Sequence, residues 1–132
     1  MLNLFRKRKK EIPDFDFLLN SELRDKYFSR LSPWDWMDDK MIHVFDINAP
    51  RVITMDPWPQ LIYLGANGQI TVSEFIHEMA LSYDRRTPIP KELDVTVLTI
   101  LTDLVDDKLI ELTAEKRILS PDLEQPKSKY KG

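Results

Sequence analysis

The four residues Thr71-Val-Ser-Glu74 constrain this chain more than any other stretch. A threonine followed three positions later by glutamate has the spacing of a capping box. The hydroxyl accepts the amide of Glu74, and the carboxylate reaches back to the amide of Thr71. Val72, Phe75, Ile76, Met79, Ala80 and Tyr83 then recur at helical steps and form one apolar stripe, while Ser73, Glu74, Glu78 and Ser82 occupy the opposite face. The spacing predicts a helix from Thr71 to about Tyr83, ended where Arg85-Arg86-Thr87-Pro88 loses the period.

The flanking segments extend the pattern. In Asp56-Pro57-Trp58-Pro59, a capping aspartate precedes a proline at the first helical position, where the missing amide would be orphaned anyway. A short helix is expected from there to Gly65, with a buried strand over Leu61 to Leu64 as the alternative. Leu93, Val97, Leu98, Ile100, Leu101, Leu104 and Val105 form a wide apolar face downstream. Five β-branched residues between Val95 and Ile100 lower its intrinsic helicity, so packing must hold this third helix. Leu109 to Thr113 and Arg117 to Leu119 read as two short strands around a tight turn, closed by Pro121. Helix, turn, helix, loop, helix and hairpin is the order of a winged helix-turn-helix. The expected fold class is therefore α+β, a winged helix with a small antiparallel sheet and an extra N-terminal helical segment.

At 132 residues, 42% of them hydrophobic, the chain has room for one domain with a real core. It has no cysteine, which removes disulfides, thiolate catalysis and cysteine-bound zinc, and which fits a reducing cytoplasm. No apolar run reaches the roughly 18 residues of a membrane span, and the N-terminus lacks the long apolar region of a signal peptide. The expected organisation is a basic mobile tail over 1–12, a single domain over 13–121 with an N-terminal extension over 13–40, and a flexible tail over 122–132.

Within the extension, residues 11–20 read as an extended lead-in with apolar anchors. Asn20 or Ser21 is placed to cap a helix through Leu31 that aligns Leu23, Tyr27, Phe28 and Leu31. Ser32-Pro33 restarts the chain in the cap-then-proline pattern. Trp34 and Trp36 either pin this segment across the core or offer an aromatic patch to a partner. Met41 to Phe45 and Arg51 to Met55 read as strands that join the wing in one sheet. The tail Met1 to Lys10, with five consecutive cations after Leu2, Leu4 and Phe5, supports at most a weak membrane-surface contact.

No catalytic constellation stands out. His43 lies in an expected strand and His77 at the edge of the central helix stripe, both better suited to structural roles than to metal binding. Asp35, Asp38, Asp39 and Asp46 lack calcium-loop spacing. Nucleotide, hydrolase and zinc-protease motifs are missing. The chain is expected not to be an enzyme and to use no cofactor.

The third helix also argues against nucleic acid. Residues 91–108 carry Lys91 and Lys108 against Glu92, Asp94, Asp103, Asp106 and Asp107, with no Arg, Asn or Gln. Such a face repels phosphate and lacks the side chains that read base edges in pairs. DNA binding as a transcriptional regulator is kept as the alternative function.

Two stretches carry a family resemblance: Asn67-Gly-Gln-Ile-Thr-Val-Ser-Glu-Phe-Ile76, and Leu101-Thr-Asp-Leu-Val-Asp-Asp-Lys-Leu-Ile110. From about Met55 to Leu112 the chain resembles the pyrroloquinoline-quinone biosynthesis protein D family of peptide-recognition winged helices. It departs from that family at Lys108, where a glycine is usual, and in its N-terminal 40 residues. The resemblance implies a non-catalytic module that takes a peptide as an added strand on a sheet edge and against the third helix. Met41, Ile42, His43, Val44 and Phe45 are then the candidate edge, with Leu98 and Leu101 the candidate helix face.

Overall fold

A computed structural model describes residues 11–129. The capping box forms as read. Glu74 N–H donates to Thr71 Oγ1 at 3.1 Å, and Thr71 N–H donates to Glu74 Oε1 at 2.9 Å. It opens helix α3, Val72–Ser82, whose Val72, Phe75, Ile76 and Ala80 are buried. Helix α2 spans Pro57–Gly65 with its prolines in the first turn, so the strand alternative falls. Helix α4, Leu93–Asp106, buries Leu93, Val97, Leu98, Leu101 and Leu104. The α2 and α3 helices meet where Gly65 faces Phe75. A Cβ on Gly65 would lie 2.3 Å from Phe75 Cε1, so only glycine lets the ring close over the helix end.

Among the described residues, two three-stranded antiparallel sheets and five helices make up the α+β fold. The remaining helices, α1 (Asp16–Leu19) and α5 (Pro121–Glu124), are single turns. One sheet has the order β5-β1-β6, with β1 Tyr27–Arg30, β5 Asn67–Thr71 and β6 Ile110–Thr113. The other is a meander of β2 Trp34–Trp36, β3 Ile42–Asp46 and β4 Arg51–Thr54.

Several expectations need correction. The lead-in over 11–20 is not extended throughout, because Asp16–Leu19 form α1. Residues 21–31 do not form a helix. They turn at 22–25, where Ser21 Oγ accepts Leu23 N–H, and then become β1. As the central strand of its sheet, β1 buries Phe28, Ser29 and Arg30 consecutively, which no one-sided helix allows. Helical spacing of Leu23, Tyr27, Phe28 and Leu31 lost to ladder bonds on both sides of the strand.

The expected wing loses its second strand. Residues 117–119 are not a strand, and β6 pairs instead with β1. Arg117 crosses to β5, where its N–H donates to Gly68 O at 2.9 Å. Gly68 has φ 76°, and a Cβ there would lie 2.5 Å from Arg117 O. The expected single sheet is likewise two, because 34–36 is strand and captures 42–46.

The C-terminal residues expected as a flexible tail include α5 and are bonded to the domain as far as Ser128. The basic tail expected over 1–12 lies outside the described residues from Met1 to Lys10, as do residues 130–132.

Polar groups join the layers. Arg30, 4% exposed, donates to Tyr63 O and Leu64 O at the end of α2 and to Leu123 O and Glu124 O in α5. A cation at two helix C-termini satisfies carbonyls that have no partner inside the helix. Tyr63 is fully buried. Its hydroxyl donates to Ser32 O at 2.6 Å and accepts Ser32 N–H at 3.2 Å. Asp94, in the first turn of α4, accepts Leu18 N–H at 3.0 Å and pins α1 to that helix.

Candidate functional site

The expected edge strand is the middle one. β3 pairs with β2 through Trp34↔Val44 and Trp36↔Ile42, and with β4 through Val44↔Ile53 and Asp46↔Arg51. Residues 41–45 therefore offer no free main chain. Ile42 and Val44 are fully buried, while Met41 is 37% exposed just outside the strand. His43 and Phe45 lie half-buried on the outer face, His43 Nδ1 being 3.3 Å from Thr54 Oγ1. Leu98 and Leu101 are 3% and 1% exposed. They are sealed in the core and present no surface to a ligand. Four of the seven candidate residues, Ile42, Val44, Leu98 and Leu101, belong to the core, so the seven do not form a binding surface.

The free edge lies one strand further out. Phe45 N–H donates to Pro33 O, so Phe45 and His43 bond toward β2, whereas Met55 N–H donates to Ile42 O on the β4 side. By antiparallel alternation, Arg51 and Ile53 face β3, and the N–H and C=O groups of Val52 and Thr54 point outward. Nothing among the described residues pairs with that outer side. Three of the four β4 residues are exposed, Val52 at 56%. β6 is also terminal in its sheet, but none of its four residues is exposed.

The first turn of the β3–β4 hairpin is held rigid. Asp46, buried, accepts Asn48 N–H at 2.9 Å and the Arg51 guanidinium at 2.8 Å. These donors, the Asn48 amide foremost, hold the Asp46 carboxyl below the usual range. Asn48 Nδ2 donates to Lys108 O, which fixes the hairpin turn against the end of α4. At the other hairpin, the Lys40 and Met41 amides bond Asp38 and lower its pKa in the same way.

The edge of β2 is covered. Lys127 N–H donates to Trp34 O at 2.7 Å, Trp34 Nε1 donates to Leu123 O at 2.9 Å, and Ser128 Oγ meets Asp35 Oδ1 at 2.9 Å. The two tryptophans differ in exposure. Trp34 is 5% exposed and pins the layer, and Trp36 is 41% exposed. Elsewhere, an open cleft of about 770 Å³ lies between residues 11–17 and 85–91, with Phe17, Arg85, Arg86, Lys91 and Asp94 in its walls.

His77 is exposed, with Nδ1 2.8 Å from Ser73 O and its ring edge-on to Phe15. Among the described residues no cluster of His, Asp or Glu has the placement to hold a metal ion. No described helix is long and apolar enough to cross a membrane.

Val52 and Thr54 are not among the residues expected at the site. The signal was present in Trp34-Asp35-Trp36, whose apolar–polar–apolar alternation marks a strand. A strand there makes 41–46 central and 51–54 terminal. No protein family, curated protein or solved structure matches this chain.

Proposed function

We propose that this chain is a non-catalytic winged-helix module that binds a peptide or protein partner by adding an extended segment to β4. The observation that carries the reading is the exposed outer side of β4, unpaired among the described residues, beside a hairpin fixed at Asp46 and Asn48. Main-chain bonds from Val52 and Thr54 would supply affinity, and the exposed Val52 side chain would supply selectivity. The sequence α2, β5, α3, α4, β6 follows winged-helix order. β1 fills the sheet position in which a second wing strand was expected.

Against the DNA reading stands the outer face of α4. Thr99, Thr102, Asp103 and Asp106 are exposed there and would face phosphate with negative charge. A cytoplasmic module fits a chain without cysteine.

Selection from a displayed library of extended peptides tests the reading, with Val52→Pro as the paired variant. Proline at an outward edge position removes one donor and leaves the ladder to β3 intact. Selected peptides should bind the native chain saturably and lose at least about tenfold in affinity on the folded variant, the loss of a hydrogen bond with its partner stranded. Binding indifferent to Val52→Pro would overturn the β4 assignment. Retention on duplex DNA with a steep salt dependence would overturn the function.

A further inference from the structure

The C-terminal segment lies on the β2 edge as a ligand lies on its receptor. None of residues 120–129 is buried, and the lead-in from Ala114 to Ile118 is exposed throughout, Ile118 at 93%. Only Asp122, Leu123 and Pro126 of the segment are even half-buried, so apolar burial contributes little to holding it. Its bonds are mostly main-chain ones. Leu123 O accepts from both Arg30 Nε and Trp34 Nε1, Glu124 O accepts from Arg30, and Lys127 N–H donates to Trp34 O.

The receiving side is the opposite in character. Arg30 and Trp34 are 4% and 5% exposed, and Arg30 is also fixed by Tyr63 O and Leu64 O and stacked 5.6 Å from the Trp34 ring. Two of the four carbonyls that hold Arg30, Tyr63 O and Leu64 O, belong to α2 and do not depend on the segment. Two further groups read side chains. The Phe45 ring lies 4.7 Å from Lys127 Nζ, and Asp35 meets the Ser128 hydroxyl.

A built, buried donor set occupied by a segment without buried residues has the makings of an exchangeable contact. Segments with few buried apolar contacts open at the low end of the stability range, well before the core. We propose that residues 120–129 are a displaceable strap, and that the β2 edge beneath it is a second recognition site for an extended segment of a partner protein. That segment would present two adjacent carbonyls to Arg30 and Trp34, an amide to Trp34 O and a cation to Phe45. The site is separate from the β4 edge and does not depend on it.

Hydrogen exchange on the full chain gives the first test. The Lys127 amide and the Trp34 indole N–H should exchange at least about a hundredfold faster than β1 and α4 amides. Exchange at the core rate would overturn the strap.

The second test uses a labelled peptide of residues 119–129 as probe. Apparent affinity scales with the open fraction of the site, so the native chain should bind it weakly. Lys127→Pro, which removes the N–H donated to Trp34 O, should tighten binding about tenfold in the full chain. Lys127→Ala keeps that N–H and should tighten it less. A folded Lys127→Pro chain with no saturable binding would overturn the site. Concentration-dependent dimers of that variant would assign the edge to a second copy's strap instead of another protein. Val52→Pro should leave this binding unchanged, which separates the site from the one on β4.

Discussion

Replacing Tyr63 by phenylalanine removes one oxygen from the most enclosed polar contact in the fold. The ring is fully buried, and its hydroxyl satisfies both the N–H and the C=O of Ser32, itself fully buried. Phenylalanine keeps the shape and leaves two main-chain groups without a partner. A stranded buried group costs about 1–3 kcal/mol, so the variant should lose about 3 kcal/mol at neutral pH. For 132 residues that lowers Tm by about 10 °C. Burial, opposed in part by the bond to Ser32, pushes the phenol well above its ordinary 10.0. The folded state therefore holds the proton at a pH where the unfolded chain releases it. This contribution is complete below about pH 10 and is lost as pH rises above it, at about 1.4 kcal/mol per unit. The stability gap between native chain and variant should narrow from about 3 to about 1.6 kcal/mol between pH 8 and pH 11. Urea titrations at the two pH values measure it. A gap below 1 kcal/mol at pH 8, or one that does not change with pH, would refute the argument from burial and bonding.

Gly68→Ala should destabilise by about 3 kcal/mol or more in denaturant melts, since it adds a left-handed penalty to a 2.5 Å overlap with Arg117 O. Lys108→Gly should raise stability by up to about 1 kcal/mol, because Lys108 has φ 62° at the end of α4 where glycine carries no Cβ penalty. Ser29→Ala should be neutral or stabilising by about 1 kcal/mol, as its buried hydroxyl has no hydrogen-bond partner among the described residues. A fragment of residues 55–129 should show no cooperative melt, because without β1 nothing bridges β5 and β6.

What was legible in the sequence was what local chemistry decides. The Thr71–Glu74 box, the Pro57 start and the Leu93 stripe each specify a helix through neighbours in the chain, and each helix formed, although the Asp56 side chain makes no capping bond. The positive φ of Lys108 at the end of α4 was not legible, because nothing local to a lysine announces it. What failed was pairing over distance. Tyr27-Phe-Ser-Arg30 reads as a poor strand because its polar residues break any one-sided pattern. Its burial comes from β5 and β6, some 40 and 80 residues away. Arg30 is a buried cation only because the ends of α2 and α5 bring four carbonyls to it, and no window of sequence contains that meeting.

The position of β1 explains why the rest of the chain is arranged around edges. In a hairpin wing, residues 117–119 would have returned beside β6 and used up their main chain there. Because β1 fills that place from the N-terminal side, the chain after β6 is released and is carried across β5 to the second sheet. There it meets Arg30, the last residue of β1, and Trp34, four residues later. One substitution of strand for strand therefore has two consequences. It closes the helical unit with a strand from outside that unit, and it supplies the segment that covers β2. Among the described residues the meander then has one covered edge, β2, and one unpaired edge, β4.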